Sequence, residues 1–259
     1  MKILLLAFTL MVAAKLDAQT ISVVKNDGSL KEVYNVLKTD TAIREGEYTR
    51  LVGGRALSPI VAGYYHNNLK DSLWQYFYSN VLIGEGHYKN GEKVGIWTGY
   101  TRGFERLKYD FSKDSLITYI PAKLDSTLLF RPITTNSAVS LDRWPIYING
   151  MATFTLLLMK NARYPALALE ANKQGEVILT FTINEHGTAG NYRIKNKIGY
   201  GIDDEVLRVM KQLDGAWVPG TVKGKPVAVE CEMPFLFEIN PPANVVHRPN
   251  QIVVTAISR

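Results

Sequence analysis

Residues 161–177 read NARYPALALEANKQGEV, placing Tyr164-Pro165 inside an otherwise helical run. Proline removes a backbone donor and clashes with the preceding turn, and the residue before it is pushed toward extended geometry. The helix upstream, with Met151, Phe154, Leu157 and Leu158 at helical spacing after Asn149-Gly150, should therefore end near Asn161. Pro165 then suits the first position of a second helix, where a missing donor costs nothing. Ala168 and Leu169 follow at i+3 and i+4, and Gly175 stops that helix and opens a strand. The break is a corner between two short helices that introduces a sheet.

Downstream, Val177, Leu179, Phe181 and Ile183 alternate on one face of a strand. Asn184-Glu185-His186-Gly187 is a turn, and Ala189 to Asn196 can return antiparallel. Gly199 and Gly201 precede Asp203, a candidate N-cap, and Val206, Val209, Met210 and Leu213 form one apolar helical stripe. Asp204 and Arg208 can pair at i, i+4, and Gly215 ends the helix. Trp217-Val218-Pro219-Gly220 makes a turn with a large apolar anchor.

The last long pattern runs from Lys225 to Ile239. Val227, Val229, Cys231, Met233, Phe235, Phe237 and Ile239 alternate strictly with Ala228, Glu230, Glu232, Pro234, Leu236 and Glu238, which predicts one buried and one wetter face. Proline cannot donate to a ladder and is confined to edges or bulges, so Pro234 marks this as an edge strand. Cys231 falls on the buried face and reads as packing rather than as a reactive thiol.

The order of helix, Tyr164-Pro165 helix, Gly175-initiated strand, hairpin, amphipathic helix, Trp217-x-Pro219-Gly220 turn and Gly224-Lys225-Pro226-Val227 strand resembles the TonB C-terminal domain over about residues 145–240. The resemblance implies two helices packed on a small antiparallel sheet in the periplasm of a Gram-negative bacterium. It also implies a partner, an outer-membrane transporter that pairs backbone-to-backbone with the last strand. Lys225, Val227, Ala228, Val229, Glu230, Glu232, Leu236 and Glu238 are then the partner-binding residues. Tyr164, Pro165, Gly175, Trp217, Pro219 and Gly220 are markers of the fold. An exposed edge is also, on physical grounds alone, a template for strand addition.

Upstream, Thr20 to about Tyr119 is rich in tyrosine, glycine and short alternating runs. GYYHNNLKDSLWQYFY from Gly63 and GHYKNGEKVGIWTGYT from Gly86 repeat at an offset of 23 residues, matching Gly63 with Gly86, Tyr65 with Tyr88, Asn67 with Asn90, Lys70 with Lys93 and Trp74 with Trp97. Each copy reads as a hairpin that cannot bury its own apolar face, so the copies should stack. The units resemble MORN-type repeats; the first copy has Asn68 and Ser72 where the second has Gly91 and Gly95. Tyr65, Trp74, Tyr88 and Trp97 are either stacked core aromatics or an exposed strip that binds a partner.

At the N-terminus, Lys2 precedes an apolar run from Ile3 to Ala14, with Leu16-Asp17-Ala18 before Gln19. The run is short of the ~20 residues that span a bilayer and fits a signal peptide, with an uncleaved anchor as the alternative. The expected organisation is a signal peptide at 1–18, hairpin repeats at 19–119, a linker at 120–142, the TonB-like domain at 143–240 and a tail at 241–259. In the tail, Gln251 to Ile257 is able to add a strand, and no pattern demands one. The expected fold class is α+β: an all-β hairpin region, then a small antiparallel sheet packed by helices.

The formal charge of +6 falls to +5 without Lys2, Lys15 and Asp17, and no Lys/Arg block is present, so nucleic acid is not an expected partner. With Cys231 as the sole cysteine, no intramolecular disulfide can form. His66, His87, His186 and His247 are scattered without metal-ligand spacing, and neither a phosphate loop nor a G-x-S-x-G elbow occurs. No metal, cofactor or catalytic residue is assigned. The expectation is an exported, non-enzymatic binding protein, associated with membranes at most indirectly. A membrane-anchored energy transducer and a structural envelope protein whose repeats bind glycan or lipid are the alternatives. Another envelope protein, or a second copy of the chain as a homodimer, is the alternative partner.

Overall fold

A computed structural model of the chain describes residues 19–27, 30–53, 57–121, 129–132, 141–213, 216–248 and 251–257. The stretch read as a signal peptide lies outside them, as does Gly215. Among the described residues no helix is long and apolar enough to cross a membrane. The chain divides into two units, Met1–Ile117 and Thr118–Arg259.

Alternation and two-residue turns build the first unit. Its strands are β1 (Thr20–Asp27), β2 (Leu30–Leu37), β3 (Arg44–Val52), β4 (Ser58–His66), β5 (Leu69–Tyr78), β6 (Val81–Lys89), β7 (Glu92–Thr101), β8 (Phe104–Asp110) and β9 (Ser115–Tyr119), in one sheet in chain order. Asn67-Asn68, Ser79-Asn80, Asn90-Gly91 and Arg102-Gly103 all carry positive φ at both positions. That is the turn geometry whose twist matches a hairpin. The two copies of the repeat share backbone as well as sequence: Ser72 takes φ 58° where Gly95 takes 60°. The first copy thus keeps its tight turns without the two glycines.

The repeat tryptophans each lie on the glycine at the start of their own copy. A β-carbon on Gly63 would fall 2.3 Å from Trp74 Cδ2. Trp74 and Trp97 are wholly buried. Their indoles pack edge-on with Tyr65, Tyr88 and Phe111 at centroid distances of 5.1–5.8 Å. Trp74 Nε1 donates to the Tyr64 and Asp71 carbonyls, and Trp97 Nε1 to that of His87. With Trp74, Tyr88 and Trp97 buried and Tyr65 half-buried, the ladder packs as core rather than as an exposed strip.

The second unit contains β10 (Leu129–Pro132), β11 (Ile146–Tyr147), α1 (Met151–Asn161), α2 (Ala166–Glu170), β12 (Gly175–Ile183), β13 (Ala189–Ile194), α3 (Ile202–Gln212), β14 (Trp217–Val218), β15 (Gly220–Val222), β16 (Lys225–Val227), β17 (Val229–Ile239) and β18 (Ile252–Ala256). The principal sheet has the order β10-β17-β12-β13, with β18 also on β17. Met151, Phe154 and Leu158 of α1 and Val206, Val209 and Met210 of α3 share one core with the inward face of β12 and β17. The fold is α+β, as the alternation and the helical stripes predict.

Several local expectations are corrected. Pro165 stands at the N-cap of α2, with φ −66° and ψ 139°, rather than inside it. The N-cap of α3 is Gly201 at φ 82°. Asp203 lies in the first turn, where its carboxylate accepts from the Ile198 and Gly199 amides at 3.0 Å each. Arg208 pairs with Glu205 at 2.6 Å, not with Asp204, and donates to the Asn161 carbonyl at 2.8 Å. The tertiary contact to the end of α1 selects the i, i+3 partner. The stretches read as linker and tail both contribute strands to the sheet, β10 and β18.

Candidate functional site

The alternating stretch Lys225–Ile239 is two strands, not one. Lys223 and Gly224 take φ 50° and 72°. That turn folds β16 back onto β15, pairing Val227 with Gly220 and Lys225 with Val222. Lys225 and Val227 therefore belong to a small separate hairpin, and Ala228 is the joint before β17. Glycine at 220 lets β17 pass close by: a β-carbon there would lie 2.8 Å from Val229 Cγ2, so a side chain would force a shift.

β17 is an interior strand, which corrects the edge assignment. One side pairs antiparallel with β12 from Gly175↔Phe237 to Ile183↔Val229. Along the other side lie β10, antiparallel from Leu129↔Glu232 to Pro132↔Val229, and β18, parallel from Phe235↔Ile252 to Ile239↔Ala256. The rule that misplaced the strand still holds locally. Ile178 turns its amide to Asn196 Oδ1 and its carbonyl to the Lys195 amide, both away from β17. Its partner Pro234 must then direct its donorless nitrogen away from β12. Among the described residues neither β10 nor β18 has a pairing residue opposite Pro234, so the missing donor falls between those two strands.

Alternation along β17 sorts its side chains. Val229, Cys231, Met233, Phe235 and Phe237 are wholly buried. Burial pushes the Cys231 thiol well above its ordinary pKa, with the Glu230 carboxylate adding to the shift. On the outward face Glu230 meets Arg193 at 3.1 Å and Glu232 meets Lys195 at 3.0 Å, reaching across β12 to β13. Leu236 is half-buried, and Glu238 meets His247 at 2.7 Å. Of the residues expected to bind a partner, only Leu236 and Glu238 lie on the stretch that β18 covers.

The fold markers act as packing devices. The Tyr164 hydroxyl donates to the Lys173 carbonyl at 2.7 Å while its ring meets Phe237 edge-on. Trp217 packs against Tyr147, Phe154 and Phe181. The Pro219 carbonyl accepts from the Arg143 guanidinium at 3.1 and 3.2 Å. Gly175 opens β12 at φ 142°.

The residues that sequence reasoning missed lie between β17 and β18. Gln251 Nε2 donates to Glu176 Oε2 at 2.6 Å, and Arg248 pairs with the same carboxylate. With Glu238–His247, these contacts fasten the segment leading into β18 to the outward face of the sheet. The available signal was the apolar pattern of Ile252, Val253 and Val254.

Among the described residues no group of three His, Cys, Asp or Glu side chains could hold a metal ion. The arrangement offers strand pairing and paired surface charges. No curated protein matches the chain. Residues 160–239, from the end of α1 to the end of β17, match the family described as Gram-negative bacterial TonB protein C-terminal.

Proposed function

We propose that the protein is an exported, non-enzymatic adaptor of the Gram-negative envelope. Its C-terminal unit docks an extended segment of an outer-membrane transporter or another envelope protein in the periplasm. The observation that carries this reading is the family match over residues 160–239, which spans α2, the β12–β13 hairpin, α3 and β17. Lys2 followed by the Ile3–Ala14 apolar run and Leu16-Asp17-Ala18 supports export by a cleaved signal peptide. The MORN-like hairpins of the first unit serve as a stacked scaffold, since Trp74, Tyr88, Trp97 and Tyr109 are buried in their own core.

The test is site-specific photo-crosslinking of the full chain in a Gram-negative envelope, with the probe at Glu230, Leu236 or Glu238 in turn. A discrete adduct identified as an outer-membrane or periplasmic protein is the expected result. No adduct at any position in a folded, exported chain refutes the function. The mass of the mature chain separates the adaptor from an anchored energy transducer, because a mature N-terminus at Gln19 removes the anchor.

A further inference from the structure

The residues that match the family stop at 239, and β18 lies beyond them. We propose that β18 is an internal occupant of the docking edge. It covers β17 over Phe235–Ile239 until an extended segment of the partner protein enters parallel to β17 and takes its place. The inference rests on the strand-docking function above. It adds what the segment must carry and what it must displace.

The geometry defines both the edge and the occupant. Ile178 faces away from β17, so along β17 the backbone groups of Leu236 and Glu238, like those of Pro234, point to the outer side. β18 lies there in parallel register, Leu236↔Val253 and Glu238↔Thr255. Parallel pairing needs a long return connection, which the segment from Asn240 to Gln251 supplies. Ile252 and Val254 enter the core, 2% and 5% exposed. Among the described residues, Glu238–His247, Glu176–Arg248 and Glu176–Gln251 fasten the lead-in on the outward face.

Two inserted aliphatic side chains and a five-residue ladder are set against the entropy of ordering the whole return segment. β10, by contrast, covers a different stretch, Val229–Glu232, and leaves the Phe235–Ile239 edge to β18.

The same contacts specify the partner. An incoming segment needs two aliphatic side chains at alternate positions, to replace Ile252 and Val254 beside Phe235 and Phe237. It also needs a cation or amide just before them, to meet Glu176 as Arg248 and Gln251 do. Its backbone bonds the outer groups of Leu236 and Glu238.

The probe is a fluorescein-labelled peptide of this chain's own residues 245–257, with binding read by anisotropy. A chain ending at Asn240, and the full chain with Ile252→Asp and Val254→Asp, are each expected to bind at least ~50-fold more tightly than the unaltered chain, because a tethered strand competes at millimolar effective concentration. Equal affinity for closed and opened chains overturns the proposal, as does no binding to either opened chain.

Should both opened chains fail to fold, a locked pair decides. Leu236→Cys with Val253→Cys, in a Cys231→Ala background, is expected to form a disulfide that abolishes peptide binding and to regain binding on reduction. No disulfide, or equal binding in both redox states, overturns the proposal. Full chains that dimerise only when residues 241–259 are present would assign β18 to a second copy and overturn the internal latch. Peptide binding by an opened chain that captures no envelope protein leaves the latch standing and sinks the docking function. Envelope capture by a chain that ignores the peptide does the reverse.

Discussion

The indole of Trp97 occupies the space a side chain on Gly86 would need: a β-carbon there would lie 2.0 Å from Trp97 Cδ2 and 2.3 Å from Cε2. Trp97 is wholly buried and packs against Tyr88 and Phe111, so it has nowhere to retreat. Gly86→Ala is therefore expected to destabilise the hairpin unit by about 2–3 kcal/mol, the cost of overpacking a filled core. Gly190→Ala, with nothing within 4 Å and no positive φ, should cost about 0.5 kcal/mol or less. Urea unfolding followed by tryptophan fluorescence and far-UV circular dichroism compares them. Equal midpoints for the two variants would mean that Trp97 does not hold Gly86 as described.

Pro234 makes a second, opposite prediction. Its nitrogen faces the seam where, among the described residues, neither β10 nor β18 offers a partner, so restoring a donor there is expected to gain no ladder bond. Pro234→Ala should cost at most about 1 kcal/mol, through the greater freedom of the unfolded chain. Its new amide should exchange with solvent much faster than those of Met233 and Phe235, which face β12. Hydrogen exchange resolved by residue reads this directly, and strong protection at position 234 would show that the seam is closed.

The C-terminal unit is legible in sequence wherever one element announces itself locally. Tyr164-Pro165 marks a corner because proline geometry is local, and the Val177–Ile183 and Val229–Phe237 alternations mark buried faces because side-chain period is local. The occupancy of the outer edge of β17 is not. It depends on Leu129–Pro132, separated from β17 by all the intervening helices and strands, and on Ile252–Ala256, reached through a chain without a periodic pattern. Pro234 pointed to an edge because a donorless residue ordinarily sits at one, and a seam between two short strands satisfies the same chemistry. The alternation that runs from Val227 into Val229 concealed the break at Ala228 between β16 and β17. On α3, helical spacing alone allows Arg208 either acidic partner, and the Asn161 carbonyl makes the choice.

Cys231 supplies a chemical readout of the core. Its thiol is wholly buried, and burial holds its pKa well above the ordinary thiol value. The folded chain should resist iodoacetamide at pH 8 and react only at the rate of opening, with full reactivity in denaturant. Cys231→Ser should destabilise the C-terminal unit by about 1–3 kcal/mol, because a hydroxyl there is desolvated among apolar neighbours. Rapid native-state alkylation would show that the β12–β17 core opens readily.

Glu32 sets the acid sensitivity of the hairpin unit. Burial alone would raise its pKa, but the Arg50 guanidinium, 2.8 Å away, and the Tyr48 hydroxyl, 3.0 Å away, outweigh it and hold the carboxyl below the ordinary value of 4.5. A group more acidic folded than unfolded contributes stability above its unfolded pKa and loses it as pH falls through its folded pKa. The contribution should thus be intact at pH 7 and fade below about pH 4.5. The pair is partly solvated, with side chains 16% and 20% exposed, so its size is that of a screened ion pair. That makes it about 1 kcal/mol or less. Glu32→Gln should lower the urea midpoint of the hairpin unit at pH 7 and leave it nearly unchanged at pH 3. The two curves should converge between those limits. An equal deficit at both pH values would mean that shape and hydrogen bonding at residue 32, rather than its charge, hold β2 to β3.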